Sequence, residues 1–92
     1  MSVKKHPYTI GENYFIRTVT YFFTGKLTAV YENELVLTDV SWIAETGRFT
    51  QAIADGDYSE IEPYPESREV IIGRAAITDA VKISHPLPRK QK

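Results

Sequence analysis

The chain has 92 residues, no cysteine and a formal net charge of −1, which bounds it to one domain without disulfides or thiolate metal sites. Hydrophobic residues make up 42% and charged residues 25%. That is the balance of an ordinary globular domain, and its total charge draws it toward neither nucleic acid nor an anionic membrane. No stretch approaches the ~18 apolar residues of a membrane span, and MSVKKHPYTI at the start lacks a signal-peptide core, so the expected location is the cytoplasm.

Residues 1–12 read as a flexible arm, interrupted by Pro7 and Gly11. From Asn13 the composition changes. Tyr14 to Phe23 is almost entirely aromatic or β-branched, which suits a pleated surface. It is too long for one strand of usual length, so a bend or turn is expected near Thr18–Thr20. Leu27 and Ala29 then alternate with Lys26 and Thr28, a half-buried strand pattern. Tyr31-Glu32-Asn33-Glu34 is the next turn, with Asn33 tolerant of positive φ. Leu35, Val36, Leu37, Val40, Trp42 and Ile43 follow as a strand apolar on both faces. A small barrel with a helix or a neighbouring subunit against its outer face accounts for such a strand.

The period changes at Thr46. Phe49, Ala52 and Ile53 make one stripe of a short helix that Thr46 can cap and Gly56 can end. Pro63 and Pro65 bar a central strand in DGDYSEIEPYPES, so the reading there is an extended acidic surface loop. Glu69 to Arg74 is a short strand, Ala75-Ala76 a link, and Ile77, Val81 and Ile83 mark a last strand. Residues 85–92 form a proline-punctuated basic tail of disordered character. About five short strands with tight turns favour a small antiparallel barrel over residues 13–84, with one helix inserted between strands 3 and 4.

Charge is unevenly placed. Lys4, Lys5, Arg89, Lys90 and Lys92 lie in the tails, whereas Glu45, Asp55, Asp57, Glu60, Glu62, Glu66 and Glu69 crowd the middle. Solvated tails and a solvated loop explain this without any partner. The run Tyr14, Phe15, Tyr21, Phe22 and Phe23 fits either a base-stacking platform or subunit packing, with packing favoured. His6 and His85 each precede a proline and have no neighbouring carboxylate, which is too little for a metal site. Asp55-Gly56-Asp57 lacks the later ligands of a calcium loop. No nucleophile elbow surrounds Ser41 or Ser59, and there is no phosphate-cradling glycine loop. The expectation is a protein without catalytic activity, metal or cofactor.

Val19 to Val40 resembles the first motif of the Sm-like (LSm) family. Gly25, Leu27, Leu35, Leu37 and Asp39 stand where that motif has its glycine, its apolar residue two places on, its alternating leucines and its acidic strand end. Val70-Ile71-Ile72-Gly73-Arg74-Ala75-Ala76-Ile77 resembles the second motif, a short strand ending Ile-Arg-Gly, with the glycine and arginine exchanged. The resemblance runs from Tyr14 to Ile83 and is nearest to short, divergent members of phage or environmental bacterial origin. It implies a strongly bent, five-stranded Sm-like (SH3-like) barrel. It also implies a homo-oligomeric ring of five to seven subunits, a pentamer preferred, in which strand 4 of one copy pairs with strand 5 of the next. Val70, Ile71, Ile72, Ile77 and Val81 are the corresponding interface candidates. Family members bind single-stranded, uridine-rich RNA at the inner rim through an aspartate and an asparagine in the first motif and the arginine of the second. Here the aspartate position holds Tyr31, and the asparagine position holds Glu34 with Asn33 beside it. The arginine position holds Gly73 with Arg74 next along. A ring of Glu34 carboxylates would repel phosphate, while Tyr31 can stack on a base, Asn33 can bond a base edge and Arg74 can meet phosphate. The leading expectation is an RNA-binding ring. The alternative is a structural ring with protein partners, for example in phage assembly, in which the acidic insert and the basic tails are the partner surfaces.

Overall fold

The computed structural model describes residues 6–92; Lys4 and Lys5 of the basic N-terminal segment lie outside them. Its elements in chain order are β1 (Asn13–Thr18), β2 (Phe22–Val30), β3 (Glu34–Glu45), α1 (Phe49–Asp55), β4 (Glu60–Pro63), β5 (Val70–Gly73), a 3₁₀ turn (Arg74–Ala76) and β6 (Ile77–Lys82). One antiparallel sheet holds all six strands in the order β4-β3-β2-β1-β6, and β5 also pairs with β3.

The aromatic run is divided between two strands. A turn between them is held by Thr18, whose amide donates to Tyr21 O at 2.7 Å and whose hydroxyl accepts the Tyr21 amide at 2.9 Å. The β2–β3 turn closes with the Tyr31 amide donating to Glu34 O at 2.8 Å. β3 is the hub of the sheet. One side pairs with β2; the other pairs with β5 through Leu35–Ile72 and Leu37–Val70, and farther along with β4 through Ser41–Pro63 and Ile43–Ile61.

β3 changes which face its side chains occupy partway along. Thr24 pairs with Ser41 and Lys26 with Thr38, so Gly25 alone stands opposite Asp39 and Val40. This is a β-bulge, and Asp39 occupies the left-handed region with φ 52°. The extra residue flips the alternation. Leu35 and Leu37 enter the first core before the bulge and Val40 enters it after, while Ile43 faces a second core on the opposite side. The two-faced apolar pattern of β3 is therefore satisfied within one chain.

The first core comprises Tyr14, Ile16, Phe23, Leu27, Leu35, Leu37, Val40 and Ile72, with Ile77 and Ala80 of β6 packed against it. β5 and β6 thus pack over the same cluster. No pairing joins β5 to β6, so the sheet stays open rather than closing as a five-stranded barrel. The second core is Phe15, Ile43, Ala52, Tyr58, Ile61 and Ile83. There the Phe15 ring stacks on Tyr58 at 6.1 Å and meets Phe49 edge-on at 5.8 Å.

α1 covers this second core, as its stripe predicts, and ends at Gly56 with φ 78°. Its N-cap is Arg48 rather than Thr46, with no side-chain cap bond. Three further expectations are corrected. Residues 60–63 form an edge strand in place of a surface loop, with Ile61 buried and Pro63 at the strand end, where a missing N–H is tolerated. The arm is seated over its described part: the Gly11 amide donates to Leu27 O at 2.7 Å and Tyr8 packs on the first core.

The C-terminal segment is likewise docked. Leu87 packs on the second core, and Ser41 Oγ donates to Pro88 O at 2.8 Å. Lys92 and Ile61 exchange amide-to-carbonyl bonds of 2.9 and 3.0 Å along the outer edge of β4. Buried His85 anchors this segment. Its Nδ1 lies 2.8 Å from the Pro86 carbonyl, which only accepts, so Nδ1 carries the proton and Nε2 accepts from the Tyr58 hydroxyl at 2.9 Å. Burial pushes the Tyr58 phenol well above its ordinary range. Gly56 backs this pair: a Cβ there would stand 2.7 Å from His85 Nδ1.

Candidate nucleic-acid interface

The two segments that carry the family resemblance meet in space. Glu34 is the register partner of Gly73. The Arg74 amide donates to Asn33 O at 2.9 Å, and Arg74 Nη1 donates to the carbonyls of Tyr31 at 2.8 Å and Glu32 at 3.3 Å. Arg74 thus braces the β2–β3 turn from the start of the 3₁₀ turn. Among the described residues its Nε and Nη2 have no hydrogen-bond partner, and its guanidinium carbon lies 5.6 Å from the centre of the Tyr8 ring. Tyr31 is 58% exposed on the turn.

An open cleft of about 890 Å³ lies beside this junction, lined among others by Tyr8, Tyr14, Glu32, Asn33, Gly73 and Arg74, with Thr78 and Asp79 of β6. Of its charged groups, Asp79 is already paired. Arg17 Nε donates to Asp79 Oδ1 at 2.8 Å, Nη2 bonds the second oxygen, and the guanidinium also lies over the Phe49 ring. Those hydrogen bonds hold the Asp79 carboxyl below its usual range. Asn33, Gly73 and Arg74 therefore share one cleft, with Tyr31 and Glu34 on the adjoining turn and strand start.

The interface candidates divide by burial. Ile72 is 5% exposed and belongs to the core of its own chain, and Val70 and Ile77 pack partly on that core. Ile71 and Val81 point outward, at 67% and 43% exposure. β5 bonds only to β3 and β6 only to β1, so each keeps one unpaired edge among the described residues.

The aromatic run at residues 14–23, read as subunit packing in preference to a stacking platform, lies mostly in the cores of its own chain. Tyr14, Phe15 and Phe23 are buried, and only Tyr21 is prominently exposed, at 53%. A different aromatic surface gathers Tyr21, Phe23, Trp42 and Tyr64 with Glu62, Pro63 and Pro65 around a groove of about 460 Å³. The sequence holds only a faint signal of it, since β3 and β4 bring Trp42 and Glu62 together by register.

No family model matches this chain, and no curated protein or solved structure shows significant similarity to it. Its reading therefore rests on its own geometry. Among the described residues no group of three or more His, Asp or Glu side chains is placed to hold a metal ion, and no helix is long and apolar enough to cross a membrane.

Proposed function

We propose that this chain is an Sm-like, non-catalytic domain that assembles into a ring and binds single-stranded RNA in the cleft between the β2–β3 turn and the β5–β6 link. The observation that carries the reading is the junction of Tyr31–Glu34 with Gly73–Arg74, joined by three hydrogen bonds from Arg74. Sequence segments about forty residues apart meet where the resemblance requires a binding pocket. Tyr8 and Tyr31 supply rings for base stacking, Asn33 an amide for a base edge, and the remaining Arg74 donors a phosphate contact.

Assembly follows from the edges. Among the described residues β5 and β6 each pair along one edge only and carry outward apolar residues, and such edges natural sheets cover. Pairing β5 of one copy with β6 of the next is a heterologous contact, and such contacts close into rings when the rotation permits. The ring closes the sheet between subunits where each chain leaves it open.

A second reading has its own observation. Among the described residues Glu32 and Asp79 line the cleft beside Arg74, with Glu34 adjacent, and although Arg17 pairs with Asp79, this acidic lining favours a structural ring that binds protein. Native mass spectrometry and oligouridine binding separate the two. A multimer that binds oligouridine with a log–log salt slope of about −0.7 per engaged subunit supports RNA binding. A multimer that does not bind at low salt supports the structural ring, and a monomer overturns both.

A further inference from the structure

The aromatic groove beside β4 is separate from the cleft and from both free edges, since none of its lining residues lies on β5 or β6. Phe23, Trp42 and Glu62 are successive register partners across β2, β3 and β4, so their side chains rise from one face. Tyr21 leans over them from the β1–β2 turn. Its ring centre is 6.2 Å from that of Trp42 at an interplanar angle of 68°, and 6.4 Å from that of Phe23 at 56°. Tyr64, between Pro63 and Pro65, lines the same groove.

Glu62 is the one charged residue lining this groove, and it has no ion pair among the described residues. Lys92 shares a shallow pocket with Glu62 on the outer flank, but its ammonium is held by Asp57 at 2.7 Å. Arg89, the nearby arginine of the chain itself, donates to the Tyr64 and Val40 carbonyls at 3.1 and 3.4 Å. The groove thus combines several π faces with an unpaired carboxylate, and the neighbouring cations are engaged elsewhere. Ring faces and carboxylate both attract positive charge, and the same carboxylate repels a phosphate backbone. Among biological cations guanidinium fits best, because it is planar, weakly hydrated, stacks on aromatic faces and pairs with carboxylate through two donors.

We propose that this groove is a docking site for an arginine-bearing peptide segment of a partner protein, its guanidinium lying against Tyr21 and Trp42 and hydrogen-bonded to Glu62. The proposal stands independently of RNA binding and of ring formation.

Trp42 is the single tryptophan of the chain, so its fluorescence reports directly on the groove. The probe is acetyl-Gly-Gly-Arg-Gly-Gly-amide, titrated beside the same peptide with citrulline, which keeps the shape and removes the charge. The expected result is a saturable change in Trp42 emission with a Kd of about a millimolar. The citrulline peptide and the Glu62→Gln and Tyr21→Ala variants should each weaken binding at least fivefold. Equal affinity for arginine and citrulline, or no saturation up to about 20 mM, overturns the proposal. So does displacement of the arginine peptide by oligouridine, which would make the groove a nucleic-acid site. The citrulline comparison uses the unaltered protein and holds even if a variant fails to fold.

Discussion

Replacing Gly25 by alanine tests the bulge that bends β3. Gly25 does not occupy the left-handed region, so the effect of a side chain there is steric. An added Cβ would stand 2.8 Å from Val40 Cγ2, 3.2 Å from Leu37 Cδ2 and 3.3 Å from Leu37 Cβ. Val40 and Leu37 are both fully buried in the first core, so neither can swing aside freely. Overpacking of this kind costs about 1–3 kcal/mol, which for a domain of this size lowers Tm by about 4–24 °C. Val40→Ala supplies the control. Alone it removes two buried methyl groups, about 1.6 kcal/mol of transfer free energy, and adds a cavity term. In the double variant the new Cβ enters the vacated space, so the combined loss should fall short of the sum by about 1 kcal/mol; the tight Leu37 contacts keep the rescue partial. Urea unfolding followed by circular dichroism, at one fixed protein concentration because the proposed assembly would couple to stability, gives all four values. A Gly25→Ala loss below about 0.5 kcal/mol, or strict additivity in the double variant, refutes the close-packed bulge.

Ile71→Lys places a charge on the outward face of β5 without touching the core, and should convert the proposed ring to monomer in native mass spectrometry; an intact multimer removes β5 from the interface. The double change Tyr31→Ala and Arg74→Ala should weaken oligouridine binding at least tenfold in a filter assay, and undiminished affinity moves the RNA site away from the cleft. Thr24 Oγ1 is buried without a hydrogen-bond partner among the described residues, so Thr24→Val should raise stability by about 1 kcal/mol; a loss of that size would reveal a hidden partner. Tyr58 yields a pH signature. Its phenol is held protonated in the folded chain but ionises near pH 10 when unfolded, so the folded state keeps the proton longer. Stability should therefore fall as pH rises above about 10, by up to about 1.4 kcal/mol per unit. Tyr58→Phe should be less stable at neutral pH, where it leaves His85 Nε2 without its donor, yet lose less between pH 10 and 11. Parallel slopes for the two proteins would refute the burial argument.

What the sequence disclosed is what local chemistry controls. The turn at Thr18, the turn before Glu34 and the glycine stop at Gly56 each follow from a few adjacent residues, and each is present. The resemblance names Asn33 and Arg74 together, and the Arg74 amide donates to Asn33 O. β4 was hidden because its prolines argue against pairing, yet they lie at its end and beyond it, where no ladder donor is needed. The bulge was hidden because a non-glycine residue, Asp39, takes the positive φ. Residues 85–92 read as free tail because their composition is polar and proline-rich; what orders them is His85 on Tyr58 and Lys92 on Ile61, partners about thirty residues away. The aromatic groove was missed for the same reason, since only strand register brings Tyr21, Trp42 and Glu62 together.

The strand order also carries an expectation for folding. The β1–β2 and β2–β3 hairpins each close across a three-residue turn, whereas β6 must reach back to β1, with Arg17 and Asp79 paired across 62 positions. Loops of that span close late, because their entropy is lost before their contacts are gained. β6 is also one of the two edges through which copies would join. In the proposed ring, recruitment would then follow the β1–β6 pairing: a molecule that has not yet laid down β6 has no complete edge to offer, so incompletely folded chains would be left out of the assembly without any separate means of rejecting them.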